Sequence, residues 1–135
     1  MRFERRLLAG QGLFYLATGA WPLVDRASFE KVTGPKTDFW LVRTVGALVA
    51  VVGVGLLVAA RERHASVASR VVAGGAAAAL AAVDIVYAGT GRIAPIYLVD
   101  AAVELALASS WVGTSLPRRR PSRPEILMGE QVEEM

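Results

Sequence analysis

The chain has 135 residues, 54% of them hydrophobic, with no cysteine, one histidine and a net charge of +3. The lack of cysteine excludes disulfides, thiol catalysis and cysteine-based metal centres, and a single histidine, His64, excludes a histidine-rich metal site, so we expect no metal and no cofactor. A mean hydropathy of +0.44 is too high for a soluble domain of this length, and 135 residues make at most one domain.

Four apolar stretches separate the charged clusters, and each is close to the roughly 20 residues that a helix needs to cross a bilayer. They cover residues 7–24, 39–60, 69–88 and 93–113. We therefore predict an all-α protein in which residues 1–116 form a bundle of four transmembrane helices and residues 117–135 form a cytoplasmic tail. Such a chain has no room for a soluble catalytic domain, and its sequence contains neither a phosphate-binding loop nor a nucleophile elbow.

Lysine and arginine predict the orientation of these helices. Ten of the fifteen basic residues lie at the N-terminus, in the second connection or in the tail, namely Arg2, Arg5, Arg6, Arg61, Arg63, Arg70, Arg118, Arg119, Arg120 and Arg123. The first and third connections hold only Arg26, Lys31, Lys36 and Arg92. The positive-inside bias then places both termini in the cytoplasm, and it explains the basic charge without a nucleic-acid partner. The first 20 residues could instead be a cleaved signal peptide, which would leave three spans.

The first connection, DRASFEKVTGPKTD, predicts a short interfacial helix, because Phe29 and Val32 lie one turn apart ahead of a break at Gly34-Pro35. The tail begins with a basic run interrupted by prolines, and we expect it to be disordered and to contact anionic lipid headgroups. The residues that would make this contact are Arg118, Arg119, Arg120 and Arg123.

Pairs of small residues four positions apart predict that the helices pack closely. The pairs are Gly46/Ala50, Gly55/Ala59, Gly74/Ala78 and Gly75/Ala79. A duplication could also be present, since WLVRTVGAL at 40–48 aligns with YLVDAAVEL at 97–105 and pairs Arg43 with Asp100. The chain would then consist of two repeated helical hairpins, related by an axis along the membrane normal.

Three of the predicted spans bring ionisable side chains to one level, and these residues are Arg43, Asp84, Asp100 and Glu104. An ionised side chain at the centre of a membrane helix costs about 2.5–3.5 kcal/mol, so we expect these groups to face inward and to meet. Tyr87 and Tyr97 lie near the same level and could donate hydrogen bonds. Together these six residues are the candidate ligand- or ion-binding residues.

The balance of charge in this layer leads to two predictions. Arg43 is expected to pair with Asp84 or Asp100, and Glu104, the deepest group, is expected to be protonated near neutral pH. A bound cation or a cationic ligand is the alternative compensation. The ion pair could also be purely structural and fix the register of the helices. Gln11, in the inner half of the first span, is expected to form an interhelical hydrogen bond.

The stretch FEKVTGPKTDFWLVRTVG at 29–46 resembles a group of small bacterial four-helix membrane proteins that share a TGPK-x-D-x-WLV motif at the start of the second helix. The stretch IYLVDAAVE at 96–104 is similar to the same pattern. The size and the four-span plan are more loosely similar to those of DoxX-like membrane proteins. The resemblance implies a multi-pass protein of the bacterial cytoplasmic membrane, and it carries no established activity.

Three kinds of function fit these residues. The first, which we favour, is a non-enzymatic membrane component, either an accessory or assembly subunit or a binder of a small ligand. The second is a proton- or cation-linked carrier that uses Asp84, Asp100 and Glu104. The third is a membrane enzyme that acts on a lipid or quinone, although the sequence offers no second catalytic element. The expected partners are the bilayer with its anionic headgroups and either further copies of the chain or a larger membrane complex.

Overall fold

The computed structural model describes residues 2–117, which form five helices and, within that range, no strand. The helices are α1 (Arg2–Val24), α2 (Arg26–Thr33), α3 (Phe39–Ala59), α4 (Val67–Gly89) and α5 (Tyr97–Ser115). The prediction of an all-α protein is confirmed for this part of the chain. The lipid contacts predicted for Arg118, Arg119, Arg120 and Arg123 lie outside the described residues.

Three helices, α1, α3 and α4, are long and apolar enough to cross a membrane, which is compatible with a membrane protein. The fourth predicted span, α5, has 19 residues but is not among these three. Asp100 and Glu104 both lie in α5, and their carboxyl groups lower its mean hydropathy. The helix therefore has the length of a membrane span without the uniformly apolar composition of one.

The short helix predicted in the first connection is present as α2. Asp25 caps its start, because Asp25 Oδ1 accepts a hydrogen bond of 3.1 Å from the Ser28 N–H. The chain leaves α2 at Gly34, whose φ of 86° favours glycine and whose N–H donates to the Glu30 carbonyl at 2.8 Å. Nε1 of Trp21 in α1 donates to Ser28 Oγ at 2.7 Å. These bonds hold α2 against the end of α1.

Helices α1 and α3 pack against each other through glycine. A Cβ atom added to Gly19 would lie 2.5 Å from the Gly46 carbonyl oxygen, and one added to Gly53 would lie 2.7 Å from the Gly12 carbonyl oxygen. Because Gly12 and Gly19, like Gly46 and Gly53, are two helical turns apart, one side of α1 meets one side of α3 backbone to backbone. The close packing predicted at Gly46 is confirmed.

Helices α4 and α5 form the second antiparallel pair, and most contacts between the long helices lie within the two pairs. A Cβ atom added to Gly74 would lie 3.3 Å from Trp111 Cβ, so the close packing predicted at Gly74 is present as well. Gly55 and Gly75, in contrast, have no atom within 4 Å of an added Cβ. The prediction of close packing at these two glycines is wrong, because both face away from the neighbouring helices.

The α1/α3 and α4/α5 pairs have the plan of two helical hairpins, as the duplication hypothesis requires. The aligned positions, however, have different surroundings. Arg43 is exposed whereas Asp100 is half-buried, and Gly46 is buried whereas Val103 is exposed. The duplication stays a hypothesis about the sequence, and the two pairs bury different positions of the aligned segments.

The two ends of the molecule are packed differently. We call the half with the start of α1 and the end of α5 the proximal half, and the half with α2 the distal half. The proximal half contains most of the buried core, including Leu8, Leu56 and Trp111. A salt bridge of 3.0 Å between Arg70 Nη2 and Glu4 Oε1 ties α4 to α1 there. The distal half surrounds a cavity.

Candidate functional site: a cavity lined by carboxylic acids

A cavity of about 600 Å³ lies in the distal half, and all five helices contribute residues to its wall. Small-molecule pockets usually have volumes of about 300–1,000 Å³, so this cavity has the size of a ligand site. Most of the wall is apolar, and it includes Phe14, Phe29, Val49, Leu80 and Val103, one from each helix in chain order. The polar lining residues include Thr18, Thr33, Lys36, Asp84, Tyr97, Asp100 and Glu104.

Three carboxylic acids face this cavity and come together as the sequence predicted. Asp84 belongs to α4, while Asp100 and Glu104 lie one turn apart on α5 and so share one side of that helix. Asp84 is 6% exposed, Glu104 is 1% exposed, and Asp100 is half-buried. The carboxyl groups of Asp84 and Asp100 lie next to each other and interact. The packing of α4 against α5 therefore assembles the acidic cluster.

Glu104 has a hydrogen-bond partner that sequence reasoning missed. The hydroxyl group of Tyr15 donates to Glu104 Oε2 at 2.6 Å, and Tyr15 is itself buried. This bond joins α1 to α5 in the interior, where an acidic group avoids the cost of contact with lipid. Gln11 and Tyr15 lie one turn apart on α1, and this inward polar face is the signal in the sequence that could have identified Tyr15.

The prediction that Gln11 forms an interhelical hydrogen bond is confirmed, and its side chain forms two such bonds. Gln11 Nε2 donates to the carbonyl oxygen of Ala73 in α4, and Gln11 Oε1 accepts from Trp111 Nε1 in α5, both at 2.8 Å. One side chain thus joins α1 to two other helices. Gln11 lies one turn from Tyr15 toward the proximal half, and neither Gln11 nor its two partners line the cavity, so this junction lies outside it.

The prediction that Arg43 forms an ion pair with an aspartate is wrong. Arg43 is exposed, and its guanidinium carbon lies 5.2 Å from the centre of the Phe39 ring, outside the cavity wall. The side of α3 that faces the cavity carries Val42 and Val45, and Arg43 falls beside this side. Its long side chain extends back toward the start of the helix, as helical side chains usually do, and so reaches Phe39.

The two tyrosines proposed for the site are separated by the structure. Tyr97 lines the cavity, lies half-buried and interacts through its side chain with Thr33 of α2. Tyr87 is 46% exposed and lies outside the cavity wall. Tyr87 lies one turn beyond Val83 and Asp84, near the end of α4 at Gly89, and it does not belong to the lining residues.

Lys36 brings a positive charge to the cavity wall, although sequence reasoning counted it only toward the orientation of the helices. Its Nζ donates to the carbonyl oxygens of Thr33 at 2.7 Å and Gly34 at 3.0 Å, and lies 5.4 Å from the centre of the Tyr97 ring. Burial lowers the pKa of Lys36 below its usual value, and the charge of Glu30 opposes this change. Its position in the TGPK stretch was the signal that could have identified it.

Chemically, this arrangement can bind a cation or exchange a proton. Within residues 2–117, no three His, Cys, Asp or Glu side chains are grouped closely enough to hold a metal ion. Comparisons of the chain with protein-family models, with curated proteins and with solved structures found no match. The resemblance carried by the TGPK-x-D-x-WLV motif therefore stays an expectation from the sequence, and the cavity is the feature on which a functional proposal can rest.

Proposed function

We propose that the chain is a small integral membrane protein that binds a small ligand in the distal cavity and does not act as an enzyme. The observation that carries this proposal is that the distal cavity, of about 600 Å³, combines a largely apolar wall with three inward carboxylic acids. Ligand pockets usually combine such a wall with a few polar groups that orient the ligand. Of the two non-enzymatic roles expected from the sequence, accessory subunit and ligand binder, the second accounts for the cavity.

We further propose that α1, α3, α4 and α5 all cross the bacterial cytoplasmic membrane, with both termini in the cytoplasm. The acidic residues of α5 do not oppose this, because Glu104 is buried and Asp100 lines the cavity. Exposed apolar side chains, such as Val51, Val71 and Val112, give the long helices a surface that suits lipid. In this orientation the distal cavity lies in the outer half of the bilayer.

The orientation can be tested with single cysteines, because the native chain has none. We expect Lys31→Cys in α2 to react with a membrane-impermeant maleimide in intact cells. Glu62→Cys, in the connection between α3 and α4, should react only after the membrane is permeabilised. Labelling of both positions from the same side would contradict a membrane crossing by α3.

Ligand binding can be tested by native mass spectrometry of the protein extracted in a mild detergent. We expect a small molecule to co-purify with the wild-type protein and to be lost from Val49→Trp, whose indole would fill the cavity. Val51→Trp is the matched control, because Val51 lies on the same helix but is 68% exposed and outside the cavity wall. Equal ligand content in the two variants, or a wild-type protein without any small molecule, would contradict the proposal.

A second candidate function is a proton- or cation-linked carrier that uses the three carboxylic acids. A line of polar groups favours it, since Glu104 accepts a hydrogen bond from Tyr15 and Gln11 interacts with Tyr15 one turn further toward the proximal half. Leu8, which is fully buried about one turn beyond Gln11, closes this line. A carrier would therefore have to rearrange the proximal half in each cycle. Loss of proton-linked flux in vesicles on Glu104→Gln, with ligand binding retained, would support the carrier.

A further inference from the structure

We propose that the ligand of the distal cavity is a lipophilic monocation, whose charged group lies between Asp84 and Asp100 and whose apolar part contacts the cavity wall. This inference rests on the proposed binding function and adds the chemical class of the ligand. Three features of the cavity support it: a buried oxygen atom without a partner, the balance of charge, and the composition of the wall.

The buried oxygen atom is Asp84 Oδ2. Asp84 is only 6% exposed, and its Oδ2 has no hydrogen-bond partner among the described residues. Native proteins rarely keep a buried polar atom unsatisfied, because such an atom has lost its water and gained nothing in return. Asp84 lines the cavity, and although Oδ2 itself is covered, rotation of the carboxyl group would present this oxygen to a positively charged N–H group in the cavity. A charge-assisted hydrogen bond would then satisfy it.

The balance of charge requires a positive ligand rather than a negative one. Asp84 and Asp100 both line the cavity and interact with each other, and two neighbouring carboxylates repel each other. Neither nearby cation forms an ion pair with them, because Arg43 lies over Phe39 and the Lys36 ammonium group on the wall donates to two backbone carbonyls. One positive charge between the two carboxylates would interact with both of them and relieve their repulsion. The ligand that fits is therefore singly charged.

The composition of the wall requires that most of the ligand be apolar. Phe14, Val49 and Leu80 surround the acids, and the rings of Trp21 and Phe29 also line the cavity. Aromatic faces attract cations, while hydrocarbon side chains offer nothing to a hydrated inorganic ion. The absence of a metal-type grouping within residues 2–117 fits the same conclusion. An organic amine with a hydrocarbon or aromatic body matches both the acids and the wall.

The test compares three probes of the same length that differ in charge: phenylbutylamine, phenylbutanol and phenylbutyrate. The full-length protein is placed in lipid nanodiscs, and binding is measured by equilibrium dialysis against nanodiscs without protein. We expect saturable binding of phenylbutylamine, which is cationic at neutral pH, and no saturable binding of the other two. Asp84→Asn should weaken the binding of phenylbutylamine by about tenfold or more, because it removes a charge-assisted contact.

The matched control for the loss of a negative charge is Asp38→Asn. Asp38 is exposed at the same end of the molecule, outside the cavity wall and without a side-chain cap bond to α3. Asp38→Asn should leave the affinity for phenylbutylamine within about twofold of the wild-type value, since exposed charges interact weakly through water. An equal loss in Asp38→Asn and Asp84→Asn would show attraction to the surface rather than binding in the cavity, and would overturn the inference.

Lys36→Met tests the sign of the ligand charge independently. A positive charge on the cavity wall repels a cation, so its removal should strengthen the binding of phenylbutylamine by a few-fold. If the natural ligand were an anion held by Lys36, the same substitution would weaken binding of phenylbutyrate, and the wild-type protein would prefer phenylbutyrate. That preference would overturn the proposal.

The remaining outcomes separate this inference from the proposed function. Unchanged affinity in Asp84→Asn, or no binding of phenylbutylamine to the wild-type protein, would refute the proposal that the ligand is a cation. A neutral or anionic molecule could instead co-purify with the wild-type protein and be lost from Val49→Trp. This result would refute a cationic ligand but uphold the cavity as a binding site. If Asp84→Asn fails to fold, Asp100→Asn replaces it, and unchanged affinity there would refute the inference equally.

Discussion

Gln11 in the proximal half and Asp84 in the distal half both lie between helices, but their polar atoms are satisfied to different degrees. In the proximal half, Gln11 has both ends of its amide satisfied by Ala73 and Trp111. In the distal half, Asp84 faces a cavity, and its Oδ2 has no hydrogen-bond partner within residues 2–117. Polar groups that satisfy each other are typical of a structural junction, whereas an unsatisfied group beside a cavity is typical of a binding site.

The packing of the helix pairs explains why the halves differ. Most contacts between the long helices lie within the α1/α3 pair and the α4/α5 pair, so the space between the pairs has to be filled by side chains. In the proximal half, Leu8, Leu56 and Trp111 fill it. In the distal half this space is not filled, although large side chains such as Phe14, Trp21 and Phe29 line it, and a cavity results. The filling of the space between the pairs thus separates the junction from the site.

The largest expected effect comes from separating α1 from α3, which would break both halves at once. Gly53→Ala would place a Cβ atom 2.5 Å from the backbone nitrogen of Leu16, and backbone atoms cannot move aside easily. We expect the free energy of unfolding to fall by about 3 kcal/mol or more, as measured by circular dichroism during denaturation in detergent. Gly55→Ala, on the same helix, is the control.

Gly55 has no atom within 4 Å of an added Cβ, and alanine favours a helix over glycine by roughly 1 kcal/mol. Gly55→Ala should therefore leave the stability unchanged or raise it. Similar losses in the two variants would show that the backbone contact between α1 and α3 does not hold the molecule together.

The next largest effect on stability is expected from a substitution in the proximal half. Gln11→Leu removes both interhelical hydrogen bonds and leaves the Trp111 Nε1–H buried without a partner. We expect the free energy of unfolding to fall by about 2–3 kcal/mol, while the affinity of the distal cavity for its ligand stays the same. Ser110→Ala is the control, because Ser110 is half-buried and its hydroxyl bonds only within α5, to Ala106. A loss of ligand affinity in Gln11→Leu equal to that in Asp84→Asn would contradict the division into two halves.

A substitution in the distal half is expected to stabilise the folded protein. Asp84→Asn should raise the free energy of unfolding of the ligand-free protein by about 1 kcal/mol, because a neutral amide beside Asp100 costs less to bury than a second acid. Sites that bind ligands commonly reduce stability in this way. Thermal unfolding of the two proteins in the same detergent measures the difference, and Asp38→Asn should show none. A destabilised Asp84→Asn would instead indicate a structural role for this acid.

Much of the fold could be predicted because the length of apolar runs and the placement of charge define the helices. The second span was expected at 39–60, and α3 runs Phe39–Ala59. The last span was expected to begin at residue 93, but α5 begins at Tyr97, because the chain first turns at Pro95. The inward position of the three carboxylic acids was predictable from the cost of placing them in lipid.

The cations of the site could not be predicted in the same way. Arg43 was expected to face inward because of its depth, yet the glycine contact between α1 and α3 sets the rotation of α3 and leaves Arg43 outside. Lys36 lies in the first connection as expected, but its bonds to Thr33 and Gly34 and its place on the cavity wall were not predicted. Both positions are set by contacts in the folded chain, one between helices α1 and α3 and one within the connection after α2. The pattern of charges along a single sequence does not reveal such contacts.

The smallest expected effect concerns α2, which covers the distal half. The Ser28 backbone N–H and hydroxyl hold the pKa of Asp25 below its usual value of 3.8, and the Arg26 side chain and then the Lys36 N–H hold the pKa of Glu30 below its usual value of 4.5. A carboxylate with a lowered pKa stabilises the folded state above its usual value, and this contribution is lost as the pH falls through the lowered value. We expect amide-exchange protection factors in α2 to fall between about pH 6 and about pH 3.

Asp25→Asn is the matched control for this prediction, because asparagine also caps helices but does not titrate in this range. Its α2 should lose less protection between the two pH values, while amides in the middle of α4 should stay protected in both proteins. Equal protection of wild-type α2 at both pH values would show that its cap contributes little. The cover of the distal half would then depend on the hydrogen bond from Trp21 to Ser28 and on the edge-on contacts of Phe29 with Trp21 and Phe39, which do not titrate.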